Sequence, residues 1–297
     1  MADSDSTDVV RNVLVTGASS GFGRLTVETL ARRGHTAFAA VRDPEGRNRP
    51  AVEELTALAA DEGIDIRTVA LDVTDQESVD RGIAAALAAA DHLDAVVNNA
   101  GGVFPGPLES FDDDQFARQF DLNVIGAHRV ARAVLPHLRA RGRGVLIQMG
   151  SVSSQVTVPY TGLYGASKAA LASLTEAWHD ELAPFGVEAV IVEATSYPTR
   201  IGDNAVMPAD LERMSAYNDG FTRFFAAAAQ HPAQSGDPQV VADAIVALVE
   251  APEGGRPLRT VVAPDVEAEA LRRLDTARTE AVRTISGYRG LGDFIRR

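Results

Sequence analysis

Apolar positions in this chain gather into short unbroken runs, separated by longer stretches in which they recur every three or four residues. The runs are NVLVT (Asn12 to Thr16), TAFAAV (Thr36 to Val41), IRTVAL (Ile66 to Leu71), DAVVNN (Asp94 to Asn99), GVLIQM (Gly144 to Met149) and VEAVIVEA (Val187 to Ala194). Continuous apolar sequence, in place of strict alternation, marks strands covered on both faces of a parallel sheet. RTVVAP (Arg259 to Pro264) is a further candidate strand. Between the runs, Asp75-Gln-Glu-Ser-Val places acids at the positive end of a helix, and an alanine-rich stretch follows to Ala90. Asp112 to Arg139 and Tyr160 to Leu182 are the longest helical patterns.

Strand followed by helix, repeated along the chain, predicts an α/β fold: one domain over 9–264 with a doubly wound parallel sheet and helices on both faces. Residues 1–8 read as a disordered polar tail, and Arg42 to Pro50 (RDPEGRNRP) as a surface loop. The loop-rich stretch 197–239 contains YNDGFTRFF and predicts an apolar, helical insertion over a substrate site. Tyr197, Met207, Met214, Tyr217, Phe221, Phe224 and Phe225 are its candidate lid residues, with the core of that insertion as the competing assignment. Residues 265–297 form a C-terminal extension, helical to about Arg283 and ending in a glycine-containing segment.

Charge and composition narrow the classes of function. The formal charge of −13 repels phosphate backbones and anionic membranes, so a nucleic-acid or membrane partner is not expected. The absence of cysteine excludes disulfides, thiolate catalysis and cysteine-based zinc sites. MADSDSTD at the start is acidic where a secretory signal would be basic and then apolar, which predicts a soluble, cytoplasmic protein. Asp112-Asp113-Asp114 reads as a helix start rather than a metal site, and the six histidines, His128 and His179 among them, read as structural or surface; no metal is expected.

The first strand runs into TGASSGFG (Thr16 to Gly23) and then a helix. Gly17, Ser19, Ser20, Gly21, Phe22 and Gly23 could turn backbone N–H groups and a helix N-terminus toward a pyrophosphate, although the same glycines would also serve an ordinary strand-to-helix turn. After the second strand the chain reads Val41-Arg42-Asp43-Pro44. An acid at the strand end would hold an NAD ribose. Here Arg42 follows directly, and its planar fork suits a 2′-phosphate, which favours NADP(H) over NAD(H). Asp43 as a ribose acceptor and Arg42 as plain surface are the alternatives.

LYGASKAALASL (Leu163 to Leu174) holds the only lysine among 28 basic residues. Lysine offers a compact charge with three rotatable donors, where arginine offers a flat fork. On a helix, Tyr164 and Lys168 stand one turn apart on one face, so the ammonium is expected to lower the phenol's pKa and fit it for proton transfer. A Tyr-x-x-x-Lys pair also arises by chance. Its company counts for more: GSVSS places Ser151 at the carboxyl end of the fifth strand, where ligands bind in open α/β sheets.

TGASSGFG, LDV with Asp72, NNAG (Asn98 to Gly101), LNVIG with Asn123, GSVSS with Ser151 and YGASK occur in order, and together they resemble the short-chain dehydrogenase/reductase family over roughly Asn12 to Pro264. The resemblance implies a Rossmann-type oxidoreductase with the catalytic set Asn123, Ser151, Tyr164 and Lys168. It implies that Asp72 and Val73 hold the adenine, and Asn99, Ala100 and Gly101 the adenosine ribose and neighbouring backbone. Tyr164 and Lys168 would hold the nicotinamide ribose, Thr199 the carboxamide, and Asn123 a water linking Lys168 to solvent. RDP, PLESF (Pro107 to Phe111) and the long C-terminal portion resemble, more loosely, the 17β-hydroxysteroid dehydrogenase type 1-like branch. Ala194-Thr195 stands where relatives carry Pro-Gly, which leaves nicotinamide placement open.

These readings predict NADPH-dependent reduction of a bulky apolar ketone or aldehyde, steroid-like in size, by a ketoreductase that assembles as a homodimer or homotetramer. An NAD-dependent alcohol dehydrogenase working oxidatively and a non-catalytic NADPH sensor are the competing readings.

Overall fold

The continuous apolar runs pair side by side. The computed structural model describes residues 9–230 and 236–295, so the predicted tail at 1–8 lies outside the described residues. The strands are β1 (Asn12–Thr16), β2 (Thr36–Val41), β3 (Ile66–Ala70), β4 (Ala95–Asn98), β5 (Gly144–Met149), β6 (Val187–Ala194) and β7 (Arg259–Val262). They form a seven-stranded sheet in the order β3-β2-β1-β4-β5-β6-β7, parallel at every pairing. The order reverses between β1 and β4, the switch point at whose carboxyl ends ligands bind in sheets of this kind.

Both faces of the sheet are covered, which is why its strands could not alternate. On one face Val13, Val15, Ile147 and Val190 pack with Val27 and Leu30 of α1 (Gly21–Arg32), Leu55 of α2 (Arg49–Glu62) and Ile245 of α9 (Gln239–Glu250). On the other, Leu14, Val96 and Leu146 meet Ile83 of α3 (Gln76–Ala90), Val134 and Leu138 of α5 (Gly126–Arg141), and Trp178 and Leu182 of α6 (Gly162–Leu182). The result is one domain of Rossmann type.

The helix starts follow the acids. Asp75 caps α3 by accepting from the backbone N–H groups of Glu77 and Ser78, and Asp112 caps α4 (Asp113–Phe120) by accepting from Gln115 N at 2.7 Å. Arg49 and Pro50 were expected in a loop; they instead open α2, where proline is tolerated because first-turn N–H groups have no intrahelical partner.

Two longer segments depart from the expected helices. Asp112 to Arg139 was expected as one regular helix. It is α4, then a π turn at Asp121–Ile125, then α5. Helix α6 begins at Gly162, and Tyr160, expected inside it, sits before it with φ +63°. Its carbonyl accepts from Gly106 N at 2.8 Å, and its ring packs edge-on against Phe221 and Phe224. These contacts hold a non-glycine residue in the left-handed region, at a cost of about 1–3 kcal/mol.

The insertion carries α7 (Leu211–Ser215) and α8 (Asn218–Ala228), and α10 (Asp265–Tyr288) outruns its expected end near Arg283. None of the residues of α8 is fully buried, so its aromatic rings form a half-covered face rather than a core. Tyr197 does not belong to that face: its ring meets Phe22 edge-on and packs against the sheet's core. His128 stacks on Trp178, and His179 meets the Ala189 carbonyl through Nδ1, both structural positions. Among the described residues, no helix is long and apolar enough to cross a membrane.

Candidate active site

At the end of β1 the turn is locked by side chains from β4. Thr16 Oγ1 donates to Val97 O and accepts from the backbone N–H groups of Asn99 and Ala100, at 3.1 and 3.0 Å. Asn99 Nδ2 donates to Thr16 O and Gly17 O. The glycines are required by space. A Cβ on Gly23 would lie 2.3 Å from Asn99 Nδ2 and 2.6 Å from Gly17 O, and one on Gly17, at φ +66°, 2.9 Å from the Ala100 backbone. Ser20 makes no side-chain cap on α1, so the helix N-terminus faces the cleft without one. Thr199 lies against Gly21, its Cβ 3.6 Å from where a Gly21 Cβ would be, beside a cavity of about 560 Å³ also lined by Arg24 and Arg200.

The loop after β2 separates two neighbours that the sequence left in competition. Asp43, at φ +47°, turns its carboxylate back into its own loop, where it accepts from Arg47 N at 2.9 Å. Arg42 is exposed and has no acidic partner among the described residues. Arg47 donates to Asn204 Oδ1 at 2.7 Å and so ties this loop to the insertion. Asp72 accepts from Thr74 N and Oγ1 through Oδ1, and buried Val73 packs against Gly126.

The π turn, β5 and α6 bring Asn123, Ser151, Tyr164 and Lys168 together. Lys168, 4% exposed, donates to the Met149 carbonyl at 2.7 Å, and its Nζ lies 5.8 Å from the centre of the Tyr164 ring. The Ser151 hydroxyl lies near enough to the Tyr164 phenol to act on its ionisation, and it accepts from Ser153 N at 3.1 Å. Buried Asn123 accepts from Gly102 N through Oδ1 and donates to Gly102 O and Ser167 Oγ, all at 3.0 Å. A Cβ on Gly101 would be 3.1 Å from Asn123 Oδ1 and 3.7 Å from Lys168 Nζ, so the two side chains converge on one point. Single-turn insertions of this kind, like the one at Asn123, recur at functional positions because they re-aim a side chain within a continuous helix.

The electrostatics differ from expectation. The phenol of Tyr164 is raised, not lowered: burial disfavours the phenolate, and the nearby Ser151 hydroxyl opposes this only in part. The residue as a whole is half-buried. Burial also lowers Lys168, to about 8, so the cation expected to acidify the phenol is itself weakened. Desolvation outweighs the charge pair.

Sequence reasoning missed the supporting contacts. Met149 offers a backbone carbonyl, which no side-chain pattern reports. Thr16 and Ser167 look like ordinary small polar residues in sequence, and the hold of the Asn99 amide on the turn at Thr16 and Gly17 could not be read from its motif.

The chain matches the short chain dehydrogenase family model over residues 11–207. It is 37% identical over 242 residues to the uncharacterized oxidoreductase YusZ of Bacillus subtilis, covering 79% of this chain and 83% of that one. It is 36% identical over 184 residues to human 17-beta-hydroxysteroid dehydrogenase type 1, covering 60% of this chain and 55% of that one. The crystal structure of a short-chain dehydrogenase from Streptomyces avermitilis superposes with a TM-score of 0.75 at 33% identity, covering 95% of this chain and 99% of that one. The chain therefore belongs to the short-chain dehydrogenase/reductase family and is an oxidoreductase acting at the CH–OH/C=O level; the steroid dehydrogenase is a looser match. The fold implies a nicotinamide cofactor and a small-molecule substrate. The residues present fit the cofactor: a tight turn at Gly17 and Gly23 with no room for a Cβ, a helix N-terminus without a side-chain cap, and an exposed Arg42 with no acidic partner among the described residues.

Two outcomes are expected. Gly23→Ala places a methyl group against Asn99 and Gly17 O and should weaken NADPH binding by about 100-fold or more by fluorescence titration, since about 3 kcal/mol of steric cost suffices. For Lys168, the folded chain releases its proton near pH 8 and the unfolded chain near the ordinary 10.5. The unfolded chain therefore binds more protons between those values, and stability rises with pH across that window. Lys168→Met removes the penalty and should be more stable than wild type at pH 7, on the order of 3 kcal/mol. In urea unfolding the gap should close toward pH 10.5; a gap that does not change with pH would contradict a buried, depressed Lys168.

Proposed function

We propose that the protein reduces an apolar ketone or aldehyde to the alcohol with NADPH, through Ser151, Tyr164, Lys168 and Asn123. The observation that carries this reading is a buried Lys168 one turn along α6 from Tyr164, with the Ser151 hydroxyl near enough to the phenol to favour its ionised form. Two hydroxyls at the mouth of a cleft can hold one carbonyl oxygen from two sides. Burial keeps Tyr164 protonated, which is the state a proton donor needs at neutral pH. Bound NADPH supplies the hydride for the carbonyl carbon. As the carbonyl oxygen gains charge, Tyr164 gives it a proton, and the Ser151 hydroxyl and the Lys168 ammonium stabilise the tyrosinate that remains. Asn123 holds the Gly102 backbone beside Lys168, and Gly17, Ser19, Ser20, Gly21, Phe22 and Gly23 would receive the pyrophosphate.

Preference for NADPH is supported by the loop after β2. Asp43 directs its carboxylate to the Arg47 N–H within its own loop, whereas the exposed Arg42 can meet a 2′-phosphate. An apolar substrate is supported by the half-covered rings of Tyr160, Phe221, Phe224 and Phe225 and by exposed Val156 and Val158 in the segment after Ser151. The steroid named for the human relative belongs to the same class of bulky apolar ligand. The same reading places the enzyme in the cytoplasm as a homodimer or homotetramer.

Tyr164→Phe is expected to lower kcat at least about 1,000-fold with a panel of aromatic and steroid ketones and to leave the NADPH Kd within twofold. Retained turnover would remove Tyr164 from the mechanism. Arg42→Asp should move the ratio of kcat/KM for NADPH over NADH toward NADH by about 100-fold, the worth of two charge-assisted hydrogen bonds. An unchanged ratio would make Arg42 plain surface.

A further inference from the structure

Glu193 is fully buried near the end of β6, outside the set of residues described above. A carboxylate there must be fully paired to be tolerated. Its partners are specific. Ser154 Oγ donates to one oxygen and Gln155 Nε2 to the other, and Arg259 of β7, 4% exposed, donates at 2.6 Å. Arg259 also pairs with Glu176 of α6 and lies 3.3 Å from Asp275 of α10. A second strand of contacts reaches the same place, because Arg278 of α10 donates to Gln155 Oε1 at 3.4 Å.

Ser154 and Gln155 belong to the short turn that Ser151 opens. The Ser151 hydroxyl accepts from Ser153 N inside that turn, and Ser153 O lies 3.2 Å from where a Gly165 Cβ would be, one residue past Tyr164. The turn is therefore held from below by Glu193 and pressed against α6 beside Tyr164. A shift of the turn would alter both the direction of the Ser151 hydroxyl and its separation from the phenol.

We propose that Glu193 is a positioning residue for Ser151, and that Arg259 carries the hold of the C-terminal helix α10 through it to the catalytic pair. This rests on the reading that Ser151 and Tyr164 grip a carbonyl. A carboxylate accepts on both oxygens, as its three donors require, whereas an amide accepts on one and donates from the other end. Glu193→Gln thus keeps the shape, sets an N–H group against a donor, and leaves Arg259 paired with Glu176 and Asp275.

The experiment measures amide hydrogen exchange over residues 151–156 together with steady-state kinetics on Glu193→Gln, Arg278→Ala and Asp275→Asn. Glu193→Gln should speed exchange in that turn and lower kcat about tenfold, with the NADPH Kd within twofold, because a small misplacement of a substrate-orienting group is felt in turnover. Arg278→Ala and Asp275→Asn should move both quantities in the same direction and less. A folded Glu193→Gln protein with wild-type exchange and wild-type kcat overturns the proposal. If that variant does not fold, the two α10 variants decide: unchanged exchange and kcat in both overturns it. A wild-type protein that reduces no carbonyl fails the preceding reading instead, and the exchange measurement still reports whether Glu193 holds the turn.

Discussion

One hydrogen bond organises the site: the ammonium of Lys168 on the carbonyl of Met149. Met149 ends β5, and Ser151 follows two residues later. Lys168 lies on α6, one turn after Tyr164. The bond therefore fixes a helix against a strand end at the place where each contributes a hydroxyl. Lysine meets this single carbonyl as a compact point charge, where arginine would bring a bulkier planar fork. In a chain that uses arginine at every other basic position, the surviving lysine marks this constraint.

Burial then acts on both members of the pair in the direction of neutrality, up for the phenol and down to about 8 for the amine. Two groups treated alike by their surroundings end as a proton holder and an easily discharged cation. The pair is poised by what excludes water from it more than by mutual attraction.

Most of the fold could be read from the chain because each feature had a local cause. Runs such as VEAVIVEA and NVLVT must be strands once no face of them is polar, and β6 and β1 have the predicted ends. The ordered motifs brought Asn123, Ser151, Tyr164 and Lys168 to one cleft, as the resemblance implied. What escaped was decided elsewhere in the molecule. The π turn leaves no mark in a 3.6-residue pattern. Tyr160 is held at positive φ by Gly106 and by rings more than 60 residues away. The phenol's direction depended on burial, which spacing cannot report. Ala194-Thr195 does not open the end of β6: Thr195 N still donates to Val262 O at 3.1 Å, so pairing with β7 continues past the strand. Glu193 interrupts an otherwise apolar stretch of β6, and the positions of Ser154, Gln155 and Arg259 explain why a carboxylate is tolerated there.

A single side-chain amine across 297 residues also gives the molecule a built-in reporter. Lysine carrying an isotopic label on its nitrogen would give one side-chain resonance, free of the overlap that usually hides such signals. Its frequency would follow the protonation of this one buried amine directly, with no need for a substrate, a mutation or an assignment.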